Sequence, residues 1–235
     1  MLAAIKKRGR LRVGISEIIP WCMHDKDGKW IGFEVDVARK LARDLDVRVA
    51  PLYALIPDLL SGRTDIIVAG LSIEAHRALA VNFSAPYNTT DVTLAANSKS
   101  AAHRGTVQDF DKPDITVGVL AESTAEQMAA TTLPNARIRV YDEDSDLFQD
   151  LINGELDAAV ADSPRPELVA KQFPATVVLP PMLPLSTFPA AFAVRRGDMD
   201  FVNFLNSWIG SRTANGWLER RRAYWFKSME WAKDL

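Results

Sequence analysis

A chain of 235 residues that is 48% hydrophobic and carries a formal net charge of −2 can bury one large or two modest cores, and its balanced charge argues against nucleic acid or an anionic membrane surface as partner. Its single cysteine, Cys22, excludes an intramolecular disulfide and any multi-cysteine metal site, and His24, His76 and His103 lack metal-ligand spacing. No apolar run approaches the ~20 residues that cross a bilayer, and Met1–Arg8 holds no secretory hydrophobic segment, so the expectation is a cytosolic chain or a processed domain restarted at an initiator methionine.

In chain order, Leu11–Ser16 reads as an opening strand. Lys29–Leu45 follows as a strand end, a turn and an amphipathic helix with Val37, Leu41 and Leu45 on one face. A helix ends at Leu59-Leu60 before Ser61-Gly62, and Asp65–Gly70 is an apolar run suited to a strand covered on both faces. Asp91–Ala96 reads as an extended crossing segment, and 101–114 as a polar loop. Ile115 then opens a second series: a helix over Thr124–Ala130, a strand at Ile138–Val140, a helix over Leu147–Ile152 and a strand over Asp157–Asp162. After Pro180, Pro181, Pro184 and Pro189, Ala190–Val194 makes a second crossing. The helical stretch from Met199 to Leu235 buries Phe201, Phe204, Leu205, Trp208 and Ile209.

The two series echo each other. Ser61-Gly62-Arg63-Thr64-Asp65-Ile66-Ile67-Val68-Ala69-Gly70 is answered by Asn153-Gly154-Glu155-Leu156-Asp157-Ala158-Ala159-Val160-Ala161-Asp162, and Leu11–Ser16 by Ile115–Leu120. The expected fold is therefore α/β with two similar lobes: residues 1–92 with 190–235, and 93–189, joined by hinge crossings at about 92–97 and 187–194. Ligands of such lobes sit at the carboxyl ends of the strands, here Gly70 and Asp162, which would then face one cleft.

Arg77 is the sharpest candidate near Gly70, because a guanidinium holds a carboxylate through two parallel charged hydrogen bonds, with Ser72 and the amide after Gly70 assisting. Pairing of Arg77 with a neighbouring surface acid explains the spacing equally well. Asp162 ends an apolar strand and suits a ligand ammonium. An Asx turn or an N-cap before Pro166-Glu167-Leu168 is the competing explanation. Ser123 and Thr124 open a helix whose free amides favour a carboxylate, although simple capping accounts for them too. Trp21 offers an apolar wall, with Tyr53 as a further candidate, whereas Trp208, Trp217, Trp225 and Trp231 belong to packing. No nucleophile elbow, phosphate-cradling loop or dinucleotide fingerprint is present, so neither a cofactor nor a metal is expected.

Gly32-Phe33-Glu34-Val35-Asp36-Val37, Leu41-Ala42, Ile56-Pro57-Asp58-Leu59, Ser61-Gly62, Asp65, Arg77, Phe83-Ser84-Ala85-Pro86-Tyr87, Val117-Gly118-Val119, Asp157-Ala158 and Asp162 together resemble the family 3 bacterial extracellular solute-binding proteins, the polar amino-acid receptors of ABC importers. The resemblance implies a two-lobed type II periplasmic binding fold that closes about two hinge strands. It assigns the ligand α-carboxylate to Arg77, Ser72 and Ser123, and the α-ammonium to Asp162. It also implies a periplasmic monomer without catalysis or membrane insertion, working with a permease. The chain departs from the family pattern at Glu74, Glu122, Ile18 and Leu52. Glu17, Glu74 and Asp162 together favour a basic amino acid, with another amine-bearing ligand as the alternative. The cyclohexadienyl dehydratases are similar over the whole length, but their general-acid glutamate aligns with Arg165, which cannot give up a proton at neutral pH. A slip of the alignment near Pro164 and Pro166 would instead bring in Glu167. A sensory domain of a larger receptor is the third reading.

Overall fold

The computed structural model describes every residue except Ala54, His103, Met229 and Leu235, and describes residues 51–53, 233 and 234 by backbone alone. The chain separates into two compact units, residues 1–89 with 189–235, and residues 90–188.

The first unit opens with α1 (Leu2–Arg8), β1 (Arg10–Ile15), a short hairpin of β2 (Met23–His24) and β3 (Trp30–Ile31), and α2 (Phe33–Asp44). It continues through β4 (Arg48–Tyr53), α3 (Ile56–Leu60), β5 (Ile66–Ile67) and α4 (Ala75–Ala78) into β6 (Val81–Asn97), which ends in the second unit. There follow β7 (Thr116–Leu120), α5 (Thr124–Thr132), β8 (Arg137–Tyr141), α6 (Asp144–Asn153), β9 (Ala158–Asp162), α7 (Arg165–Gln172) and β10 (Val177–Val178). Strand β11 (Ser186–Arg195) returns the chain to the first unit, where α8 (Met199–Ala214) and α9 (Trp217–Arg222) pack.

In the first unit β4, β1 and β5 run parallel and β11 lies antiparallel to β5. In the second, β8, β7 and β9 run parallel and β9 lies antiparallel to β6. The sequence echo is an echo of register: Val13 and Gly14 pair with Ile66 and Ile67, as Val117 and Gly118 pair with Ala158 and Ala159. Asp65 and Asp157 explain why each repeated strand is entered through aspartate. The Asp65 amide donates to Arg12 O at 2.8 Å while its carboxylate accepts the Arg12 amide at 2.9 Å, and Asp157 does the same with Thr116 at 3.0 and 2.8 Å. Each carboxylate thus satisfies a backbone donor where the strand has no other partner.

Helix α2 buries Val37 and Leu41 on one face, as its periodicity requires, and Leu45 just beyond it. The second unit has one core around Val92, Val117, Val119 and Val160 and another around Leu147, Phe148 and Leu151, while the first unit buries Leu11, Val13, Phe33, Leu41 and Ile66 and gathers Leu59, Ile67, Val81 and Ala193 in a further cluster. Among the described residues the apolar run from Asp65 forms ladder pairs at Ile66 and Ile67, Val68 N still donates to Gly14 O at 2.9 Å, and Gly70 then stands at φ +62°. Along α8, Phe201, Leu205, Trp208 and Ile209 are buried, whereas Phe204 is only half-buried.

Candidate functional site

In the first unit, the carboxyl end of β5 is built around glycine. A Cβ on Gly70 would lie 3.0 and 3.1 Å from two ring carbons of Trp21, in a backbone conformation that already disfavours side chains. Trp21 is buried, meets Phe33 edge-to-face at 5.9 Å and lies 4.7 Å from Phe226. The start of α2 fixes its backbone, since the amides of Phe33 and Glu34 donate to Pro20 O and Trp21 O at 3.2 and 2.9 Å. These are the otherwise unpaired donors of a helix N-terminus.

Beyond Gly70 the chain runs antiparallel to β11, with Ser72 bridged to Ala190, Ile73 N donating to Pro189 O at 2.8 Å and Ala191 N to Leu71 O at 3.0 Å. That edge anchors α4 and delivers Arg77, whose side chain is only 8% exposed. Its guanidinium lies 2.8 Å from Glu74 Oε1 and donates to Ser72 O at 3.3 Å. Gly70, Ser72, Glu74, Arg77 and Trp21 are therefore gathered in one unit. Glu74 Oε1 pairs with Arg77, and His76 Nδ1 lies 3.5 Å from its other carboxylate oxygen. The i,i+3 spacing on a short helix makes that pair the local solution. Glu17 lies 3.1 Å from His24 Nδ1, both well exposed, and Tyr53 ends β4 opposite Ile15 with its side chain outside the described residues.

In the sequence Glu34 stands only as part of the Gly32–Val37 motif. The structure buries it completely beneath Gly70: Tyr87 Oη donates to Oε2 at 2.7 Å, and Oε1 accepts no hydrogen bond among the described residues. Burial pushes its pKa from 4.5 up to about 8, against weaker opposing pulls from the Tyr87 hydroxyl and the Gly70 amide. Glu34 is therefore held protonated at neutral pH. Nothing in an acid at the first turn of an amphipathic helix signals this, because that position ordinarily serves the helix dipole in water.

In the second unit, Asp162 is the last residue of β9 and Ser123 lies three residues beyond β7, an adjacent parallel strand. Asp162 does not cap α7, whose N-cap is Pro164 with no side-chain hydrogen bond. Ser123 does cap α5: its Oγ accepts from Glu126 N at 3.1 Å and donates to Leu120 O at 2.6 Å. Glu122 sits at φ +55°, and its amide donates to Glu126 Oε2 at 2.8 Å. Thr124 is buried at the start of the same helix. Arg165 is committed to structure, since its Nε lies 2.7 Å from Asp144 Oδ2 with both side chains 9% exposed, and its guanidinium stacks 4.6 Å over Phe148. Desolvation raises the Asp144 pKa and Arg165 opposes the rise. Glu167 is bonded to Ser163 Oγ. Among the described residues no cluster of three or more His, Cys, Asp or Glu could hold a metal ion, and no helix is long and apolar enough to cross a membrane.

Residues 11–228 match the profile of the bacterial extracellular solute-binding proteins, family 3. The chain belongs to that family. Among solved structures, an ancestral amino-acid-binding protein that is a precursor of cyclohexadienyl dehydratase is 35% identical, with a TM-score of 0.89 over 96% of this chain and 99% of that one. The lysine complex of an ABC-transporter binding component from Wolinella succinogenes is 31% identical, with a TM-score of 0.91 over 96% of this chain and 99% of that one. Cyclohexadienyl dehydratase from Pseudomonas aeruginosa is 27% identical over 234 residues, 96% of this chain and 86% of the relative. The family member described here thus has the type II periplasmic binding protein fold of these neighbours, with its two α/β units.

Proposed function

We propose that this chain is a non-catalytic periplasmic receptor that captures an amino acid, a basic one by preference, and presents it as a monomer to the permease of an ABC importer. Arg77, aided by Ser72 and Ser123, takes the α-carboxylate, Asp162 takes the α-ammonium, and Trp21 walls the side chain. β6 and β11 act as the hinge. The observation that carries the reading is Arg77: a guanidinium almost wholly covered, seven residues beyond the glycine that follows β5, in a family of solute receptors. The basic preference is supported by the lysine-bound relative and by the acids Glu17 and Glu74 in the same unit as Arg77.

The dehydratase reading is favoured by the Pseudomonas relative but opposed by Arg165, which cannot act as an acid and is tied to Asp144. Calorimetric titration with lysine, arginine, neutral amino acids and prephenate tests the proposal. Saturable binding of an amino acid, with prephenate left chemically unchanged, supports it. Turnover of prephenate, or no binding of any amino acid, overturns it.

A further inference from the structure

Three guanidiniums converge on one carboxylate at the opposite end of the first unit's strands. Arg8 Nη2 lies 2.5 Å and Arg12 Nη2 2.8 Å from Asp65, and Arg195 Nη2 4.0 Å away. Asp65 itself is 2% exposed, while the three arginine side chains remain between 26% and 29% exposed. They line a basin of about 590 Å³ together with Met1, Arg196 and Asp198; Arg195 Nη1 there also donates to Leu59 O at 2.8 Å, Arg196 Nη1 donates to Leu79 O at 2.9 Å, and the Met1 ammonium lies 2.8 Å from Asp198, so cationic groups outnumber carboxylates. The basin lies at the amino ends of β1 and β5, ~15 Å of strand away from Gly70, and is independent of the amino-acid reading.

The second unit supplies an internal control for what such an aspartate needs. Asp157 performs the same backbone clamp on β7, and its other oxygen accepts one neutral hydroxyl, Ser100 Oγ at 2.5 Å, with no ion pair among the described residues. The clamp therefore requires no arginine at all. Asp65 already accepts the Arg12 amide and side-chain bonds from Arg8 and Arg12, so most of its lone-pair sites are taken. Arg12 Nη1, and Nε and Nη2 of Arg196, donate to no described residue. Planar donor forks that outnumber nearby acids, in a partly covered concavity, match the geometry and charge of a tetrahedral oxyanion.

We propose that the basin formed by Arg8, Arg12, Arg195 and Arg196 is a second binding site, for a phosphate-class oxyanion, either free or as a small phosphomonoester. The chemistry is a set of charge-assisted hydrogen bonds from guanidinium to phosphate oxygens, with no covalent step. The two sources are separated by titrating the full chain, in the absence of amino acid, with inorganic phosphate and with glycerol phosphate, holding ionic strength constant with sodium chloride.

Saturable heat or a saturable rise in melting temperature with either probe is expected, and the tighter probe identifies the source. Arg12→Gln should weaken binding about tenfold or more, and Arg196→Gln severalfold. Arg43→Gln, in the separate basic surface of α2, should leave it unchanged. Should Arg12→Gln fail to fold because Asp65 loses a partner, Arg196→Gln decides alone, since its guanidinium bonds only Leu79 O among the described residues. A response that chloride reproduces, equal losses in Arg196→Gln and Arg43→Gln, or no loss in either basin variant would overturn the proposal.

Discussion

Replacing Glu34 by glutamine tests the claim that a buried acid beneath Gly70 is held neutral. Its pKa is raised from 4.5 to about 8 in the folded protein, chiefly by desolvation. Below pH 4.5 both folded and unfolded chains carry the proton, and the neutral group's contribution to stability is complete. Between 4.5 and about 8 the folded state holds a proton that the unfolded state has released, so stability falls as pH rises, and it levels off above the folded value. Each pH unit in that window is worth about 1.4 kcal/mol, which sets a ceiling of ~5 kcal/mol across it. Glutamine keeps the shape and an acceptor for Tyr87 Oη, but places two amide hydrogens, against the one of the neutral acid, where Oε1 has no described partner. That should cost about 1–3 kcal/mol at pH 5. The two proteins should therefore exchange order, wild type being the more stable at pH 5 and Glu34→Gln the more stable near pH 9. Urea unfolding across this range gives the difference directly, and carbon-13 labelling of glutamate locates the titration. Parallel stability curves, or a Glu34 carboxyl titrating near 4.5, would refute the argument.

Arg77→Ala should reduce amino-acid affinity by about a hundredfold or more, since two charge-assisted bonds to a carboxylate are lost; calorimetry reads it, and unchanged affinity would place the carboxylate elsewhere. Asp162→Asn should weaken amine-bearing ligands more than des-amino carboxylates in the same titrations, and equal losses would remove its assigned role. Arg165→Met leaves Asp144 buried without its partner and should cost about 3–5 kcal/mol by urea unfolding at pH 7, with part of the loss relieved as the pH is lowered and Asp144 protonates. Gly118→Ala should cost about 1–3 kcal/mol, because a Cβ there would lie 2.4 Å from Leu147 Cδ1 and 2.5 Å from Leu156 Cδ1; a neutral result would show that both leucines can give way.

The sequence by itself determined the two-unit α/β plan. Periodicity and stop signals are local properties, so Val37, Leu41 and Leu45 on α2 and the Gly62 and Gly154 helix exits could be read directly, and the repeat announced the shared register of β1–β5 and β7–β9. It also singled out Gly70, Ser72 and Arg77, because a strand end followed by hydroxyl and guanidinium is a one-dimensional pattern. Which charges meet was decided only by the fold, since ion pairing depends on where side chains distant in sequence are brought. Glu74 turned to Arg77, Arg165 joined Asp144 from 21 residues away, and Glu34 lost its water beneath Gly70 against Tyr87, 53 residues downstream. Asp65 and Asp157 show the division most plainly: their roles in the backbone are the same and legible from the repeat, yet only packing surrounds one with arginines and the other with a serine.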